Sequence, residues 1–300
     1  MHFSWSEYNK ELKQRGSLKL WLPENIEAIW YDDESRSGKG SKRRYSDEAI
    51  EICLMIRSVY SLALRQCEGF IRSLFEERNL DLSIPNYSTL SRRQRELEVC
   101  IREGEVPDCI KVAVDATGFK ITGEGEWKVR THKAEKRRSW KKLHIGIDTA
   151  TCLIVTAIST GSDTADTEVF IDLMEEVPEA VSTTYGDGAY DSQSAYEYCE
   201  SKGIEPVIPP QENAVFHGRS GPGYARDLNV VEIAQIGRKE WKVKYGYHRR
   251  SLVESVFSCL KRIFGGRIPS RNTDNQDIDL FLRCKAWNRM RSIKLCKAGS

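Results

Sequence analysis

Three hundred residues with 40% apolar side chains can bury a sizeable core in roughly two domains, which excludes a disordered chain and a disulfide-stapled miniprotein. A formal net charge of +2 excludes a uniformly basic chain, so any nucleic-acid contact must come from local clusters. Nine cysteines without a CxxC pair suit a reducing cytoplasm; with no apolar run near about 18 residues and no apolar core in MHFSWSEYNKELKQRG, neither membrane insertion nor secretion is expected.

The stretch YDDESRSGKGSKRRY at 31–45 reads as a mobile linker. A helix is expected after Ser46, with Asp47 and Glu48 in its first turn and Ile50, Leu54, Ile56 and Val59 as its apolar residues. A second helix is expected over 63–77. Residues Ile84 to Ser88 then read as turn and cap, and Thr89 to Leu97 as a short helix exposing Arg92, Arg93, Gln94 and Arg95. These side-chain types contact bases and phosphates, and the order is that of a helix-turn-helix whose last helix reads DNA. A plain three-helix bundle with a charged face fits the same pattern. Residues 1–105 are thus expected to form a helical DNA-binding domain.

From 106 to 300 the pattern is α/β. Ile110-Lys111-Val112-Ala113-Val114 alternates with period two and delivers Asp115 at its end. A poorly defined second strand with a basic turn follows, then strands at 143–148 and 153–158, a helix at 167–177, a short strand at 181–186, a helix at 191–202 and a strand at 205–208. This is an RNase-H-like order, a mixed sheet flanked by helices, in which the first and fourth strands are neighbours and bring Asp115 and Asp187 together. Pro206, Pro209, Pro210 and the run HGRSGPG interrupt the pattern, so 209–240 reads as a modest insertion. A final helix over 277–292 turns Leu280, Phe281, Cys284, Trp287 and Met290 inward, with Arg283, Lys285, Arg289 and Arg291 toward solvent or DNA.

Three acids stand out. Asp115 follows a strand, Asp187 sits between Gly186 and Gly188 where the backbone turns tightly, and Glu254 lies in YHRRSLVESVFSCLK. On a continuous helix Tyr247, Arg250, Glu254 and Lys261 fall within about 60° of one another, while Leu252, Val253, Val256, Phe257, Leu260, Ile263 and Phe264 supply an apolar stripe. Taken singly, each acid has an ordinary structural reading: a turn former, a Gly-flanked turn, an i,i+4 ion pair with Arg250. Taken together, they stand in the order strand-end acid, strand-end acid, helical acid, separated by 72 and 67 residues, and it is this order that sets them apart. The five histidines are scattered, and no Cys/His cluster has zinc-ligand spacing.

The Tyr247, Arg250, Glu254 and Lys261 spacing resembles the glutamate signature of the DDE transposases of bacterial insertion sequences. The stretches VDATGFKITGEGEWKVRTHKAEKRRSWKKLHIGID and YGDGAYDS resemble those around the two aspartates in insertion sequence family five, so that the likeness covers 107–290, with a similar N-terminal layout. The resemblance implies that Asp115, Asp187 and Glu254 are catalytic and hold two Mg²⁺ ions, for which Mn²⁺ substitutes. It implies that Arg250 and Lys261 contact the phosphate backbone, that Tyr247 places the terminal nucleotides, and that residues 1–105 recognise the transposon ends. Cleavage by water, joining of the freed 3′-OH to target DNA, a homodimer on DNA and a cytoplasmic, nucleoid-associated bacterial location belong to the same expectation. An RNase-H-like nuclease and a catalytically silent DNA-binding regulator are the alternatives. Charge distribution adds a further expectation. Arg130 to Lys142 holds seven Lys/Arg against one Glu, so Lys136, Arg137, Arg138, Lys141 and Lys142 are expected along the DNA backbone, and Arg36, Lys39, Lys42, Arg43 and Arg44 form a second cluster.

Overall fold

The computed structural model describes residues 5–32, 44–104, 107–121, 140–216, 218 and 224–295. It forms two compact units, Met1–Cys100 with Ile263–Ser300, and Ile101–Arg262. The sequence assigns the last helix to the α/β part, whereas in the structure it belongs with the N-terminal helices.

The first unit contains α1 (Trp5–Arg15), α2 (Ile26–Ile29), α3 (Asp47–Val59), α4 (Leu64–Glu77), α5 (Tyr87–Gln94) and α11 (Thr273–Leu295). A helix start leaves backbone N–H groups without intrahelical partners, and side-chain oxygens meet two of them: Ser46 Oγ accepts from Ala49 at 3.0 Å and Asn86 Oδ1 from Thr89 at 2.8 Å. Trp30 and Phe75 pack with ring centroids 4.9 Å apart, and Ile50 and Leu54 of α3 and Leu90 of α5 are fully buried. The membership of α11 follows from charge. Arg57 pairs with Asp279 at 3.1 Å, Gln94 donates to Asp279 at 2.8 Å, and Lys285 pairs with Glu51. Buried charges of this kind are tolerated only with their partners in place, so these pairs fix α11 against α3 and α5. Arg283 and Lys285 are therefore buried, contrary to the expectation of solvent or DNA contact; Arg283 donates to the Gly265 and Arg267 carbonyls at 3.1 and 2.7 Å. The α4–α5 connection runs from 78 to 86, longer than the about three- or four-residue turn of a helix-turn-helix. Of the linker expected at 31–45, residues 33–43 lie outside the described residues.

The second unit is built on β1 (Cys109–Ile121), β2 (Trp140–Asp148), β3 (Ile154–Gly161), β4 (Ala180–Tyr185) and β5 (Glu205–Val207), in the spatial order β3-β2-β1-β4-β5. The pairs β1–β2 and β2–β3 are antiparallel, while β1–β4 and β4–β5 are parallel. The sequence ends the first strand at Asp115 and leaves the next ill defined; in the structure one strand runs on to Ile121, with Lys120 opposite Trp140. Side chains alternate between the faces of a strand. Ile110, Val112 and Val114 of β1 join a buried cluster with Phe170 and Leu173 of α6 (Asp166–Glu175) and Tyr196 and Cys199 of α7 (Gln193–Lys202). By the same alternation Ala113, Asp115, Thr117 and Phe119 occupy the other face.

The expected insertion contains α8 (Tyr224–Ile236) and α9 (Arg238–Lys244). Gly246, with φ of +62°, then starts a 3-10 turn over Tyr247–Arg250 that leads into α10 (Ser251–Phe264). The left-handed conformation suits glycine and separates α9 from that turn. The regular helix thus begins at Ser251, four residues later than the sequence pattern suggests, and Tyr247 precedes it. Val253, Val256, Phe257 and Leu260 of α10 are buried as expected. At about 1.5–3 kcal/mol for each such side chain, the stripe outweighs the i,i+4 pair of Arg250 and Glu254, worth about 0.3–0.5 kcal/mol. The apolar stripe therefore sets the helix and leaves its charged side for chemistry. Among the described residues no helix is long and apolar enough to cross a membrane.

Candidate active site

The parallel register sets two of the three acids side by side in the sheet. It pairs Ala113 with Tyr185, so Asp115 and Asp187, each two residues further on, leave neighbouring strands at one level. Asp115 projects from the middle of β1, with Ile145 opposite it on β2, whereas Asp187 lies just beyond the end of β4. Asp187 Oδ1 accepts the Ala189 N–H at 2.9 Å and so caps the short turn Gly188–Tyr190. Gly186 is closely packed there: a Cβ would come within 3.2 Å of the Tyr190 ring, which would have to give by a few tenths of an ångström.

Glu254 is joined to Asp115 by one guanidinium. Arg250 Nη1 donates to Asp115 Oδ2 at 3.1 Å while its Nη2 donates to Glu254 Oε1. Lys261 Nζ donates to the Thr117 hydroxyl at 2.6 Å and lies 5.4 Å from the centre of the Phe119 ring, on the same face of β1 as Asp115. Tyr247 is half-buried, its ring 6.0 Å from the Arg250 guanidinium carbon. The structure thus brings Asp115, Glu254, Arg250, Lys261 and Tyr247 together, with Asp187 just past the end of the neighbouring strand β4.

Burial pushes the Asp115 carboxyl from 3.8 up to about 6; the Ala116 N–H and Arg250 oppose the rise, and Asp187 and Glu254 add to it. Burial lowers Lys261 and raises Tyr247. Burial also works against the Arg250 cation, but Tyr247, Glu254 and Asp115 more than offset this and raise it. The Tyr190 hydroxyl is buried without a hydrogen-bond partner among the described atoms. Its titration is driven well up by burial first, then by the charges of Asp166, Asp115 and Asp187.

A carboxyl with a raised folded-state value binds protons that the unfolded chain has already released, so stability declines as pH rises through that interval. In the metal-free protein Asp115 should therefore contribute a loss of stability as pH rises from 3.8 through about 6, complete above that range. Asp115→Asn should flatten this part of a pH series of urea midpoints; an unchanged slope would assign it to other groups.

The donor set suits a hard divalent cation, since two carboxylates already converge on a single positive group. As they stand, no three His, Cys, Asp or Glu side chains among the described residues are grouped closely enough to hold one ion. Arg250 supplies the positive charge between Asp115 and Glu254.

The other expected residues are dispersed. Arg92 and Arg95 are exposed at the end of α5. Arg93 is buried, paired with Asp47 and donating to the Tyr45 carbonyl at 2.8 Å, so its side chain holds the first unit together and is not available as a reader of DNA. Lys136, Arg137 and Arg138 lie outside the described residues, as do Arg36, Lys39, Lys42 and Arg43. Lys142 pairs with Asp166 at 2.7 Å and donates to the Thr164 carbonyl at 3.2 Å, and Lys141 is half-buried. Arg44 lies 5.8 Å from the Tyr45 ring centre.

One pair near the site was not singled out by sequence. Asp191, four residues after Asp187, has a fully buried side chain and receives Arg226 of α8 through two hydrogen bonds, at 2.7 and 2.9 Å. The only sequence signal is a second acid in YGDGAYDS; its partner lies beyond the run HGRSGPG, at no recognisable spacing.

Two family models described as Transposase DDE domain match the chain, one over residues 110–289 and one over 13–124. Solved structures similar to it include a piggyBac transposase synaptic complex with hairpin DNA, at 13% identity and a TM-score of 0.47 over 97% of this chain and 76% of that one. The Drosophila P element transposase strand transfer complex is similar at 9% identity and a TM-score of 0.35, over 92% of this chain and 86% of that one. The Mos1 mariner paired end complex with Mn is similar at 13% identity and a TM-score of 0.24, over 99% and 88%.

Proposed function

The chain belongs to the DDE transposase family, and from that premise we propose that it moves a bacterial insertion sequence of the family-five type, with Asp115, Asp187 and Glu254 as its catalytic carboxylates. The observation that carries this reading is the single guanidinium of Arg250, which ties Asp115 on β1 to Glu254 on α10. Three hard carboxylates suit a pair of Mg²⁺ ions, with Mn²⁺ as substitute, and such ions when bound lower the pKa of water and neutralise charge on the scissile phosphate.

The chain's own residues supply the remaining functions. Asp115, Asp187 and Glu254 give negative charge at one end of the sheet, while Arg250 and Lys261 hold the phosphates flanking the cut. Tyr247 packs against the terminal nucleotides. In the first step water attacks the phosphorus at the element end, the 3′ oxygen leaves as a hydroxyl, and the proton released by the water is taken up by solvent. In the second, that 3′-OH attacks a target phosphorus and a target 3′ oxygen leaves, so the phosphodiester count is conserved and no covalent enzyme intermediate forms. Arg92 on α5 and Arg95 at its C-terminal cap contact the terminal repeats, and the run Lys136, Arg137, Arg138, Lys141 and Lys142 follows the backbone. Two ends cut in concert call for a homodimer on DNA, in the nucleoid of the cytoplasm.

The test is a strand-transfer assay with a labelled transposon end, its sequence taken from the repeats flanking the gene. Joining of the labelled strand to target DNA in Mg²⁺ or Mn²⁺ is expected. Hydrolysis without joining would leave an RNase-H-like nuclease, and binding without either reaction would leave a DNA-binding regulator.

A further inference from the structure

The Asp191–Arg226 pair joins the loop that carries Asp187 to the segment between β5 and the glutamate helix. The Asp191 side chain is fully buried and uses both carboxylate oxygens: Oδ1 accepts Arg226 Nε at 2.7 Å, and Oδ2 accepts Arg226 Nη2 at 2.9 Å and the Gln211 N–H at 3.0 Å. A fork-to-fork arrangement fixes orientation as well as distance. Three residues along α8, Asn229 Oδ1 accepts the indole N–H of Trp241 at 3.2 Å. Trp241 is fully buried in α9 and packs against Tyr247, with ring centroids 6.3 Å apart. Tyr247 begins the turn that ends in Arg250. At its other end the same segment is held by Arg238, which donates to the Pro210 carbonyl at 2.8 Å.

A continuous chain of specific contacts therefore runs from the Asp187 loop through Asp191, Arg226, Asn229, Trp241 and Tyr247 to Arg250. A loop that only closed a gap between β5 and α10 would need none of these buried polar contacts. We propose that α8 and α9 form a brace that sets the Asp187 carboxylate against Glu254, with Asp191 and Arg226 as its positioning residues. Neither touches the reacting atoms. Their effect passes through the short turn that Asp187 caps, because a shift of Asp191 moves Gly188–Tyr190 and with it the carboxylate four residues earlier. Metal sites and reacting geometries are sensitive to displacements well under 1 Å, so a loosened brace should cost affinity with all three carboxylates in place.

The inference rests on the proposed carboxylate site, and the experiment separates the two. Mn²⁺ is titrated into the full chain without DNA, with free Mn²⁺ followed by electron paramagnetic resonance, at a temperature well below each variant's unfolding midpoint. Wild type should bind Mn²⁺ and Asp187→Asn should lose affinity. Arg226→Lys, which keeps the charge but not the fork, should weaken binding about tenfold, and Arg226→Gln about a hundredfold, the range for groups that orient metal ligands. A pair that merely stabilised the fold would lower the midpoint and leave the Mn²⁺ affinity of the folded protein unchanged, and that result overturns the brace. So would failure of both Arg226 variants to fold. A wild type that binds no Mn²⁺, or Asp187→Asn binding as wild type does, would instead overturn the carboxylate site itself.

Discussion

Asp115→Asn, Asp187→Asn and Glu254→Gln are each expected to reduce cleavage of a labelled transposon end by more than about a hundredfold while leaving binding of the uncut end intact. The magnitude follows from a comparison: groups that only orient a metal ligand cost about 10–100-fold when removed, and these substitutions remove the proposed ligands themselves. Binding should survive because the exposed arginines Arg92 and Arg95 lie in the other unit and none of the three acids is a DNA donor. Stability should point the same way. The Asp115 carboxyl is pushed up to about 6 by burial, so its charged form is disfavoured by the fold at neutral pH, and Asp115→Asn should be neutral or stabilising there without metal. Gel-shift, cleavage and urea measurements on the three variants check this. Residual cleavage within tenfold of wild type in any one of them would remove that residue from the site.

How much of this was legible beforehand depends on whether the deciding partner is local. The stripe of Val253, Val256, Phe257 and Leu260 repeats at helical period, so α10 and the exposed side bearing Glu254 follow from spacing alone. The Ser46 and Asn86 caps are equally local, each acting on an amide three residues away. The length of β1 is different. Alternation identifies a strand at 110–115, but its continuation to Ile121 depends on pairing with β2, which begins at Trp140. Arg93 is more telling still. As a residue type it belongs on the surface, yet its burial is decided by Asp47, 46 residues earlier. Lys285 is similarly drawn inward by Glu51, across 234 residues. The three acids could be named because strand ends and a helix face are local features. Their escort by Arg250 could be expected from spacing, but not its simultaneous contact with Asp115, which lies 135 residues away.

That double contact gives Arg250→Gln an unusual expected result: lower cleavage together with tighter metal binding. In the structure one guanidinium offsets the charge of both Asp115 and Glu254, and Tyr247, Glu254 and Asp115 raise it despite its burial. A divalent cation entering the same region must replace those two contacts, so the affinity measured for wild type is net of displacing Arg250. Taking the competitor away should raise Mn²⁺ affinity by about tenfold, equivalent to roughly 1.4 kcal/mol, a modest fraction of what two partly buried charge pairs supply. Cleavage should nevertheless fall about a hundredfold, because the released guanidinium is one of the two groups proposed to hold the phosphates flanking the cut, and loss of one positioned donor has that order of cost. Arg250→Lys separates charge from shape. A lysine is a point charge that cannot span two carboxylates with a rigid fork, so its metal affinity should lie between wild type and Arg250→Gln while cleavage recovers only in part. Calorimetric Mn²⁺ titration of the three proteins without DNA decides the matter. If Arg250→Gln binds Mn²⁺ more weakly than wild type, the arginine organises the carboxylates for the ion instead of occupying its place, and its contribution to catalysis then begins before DNA arrives.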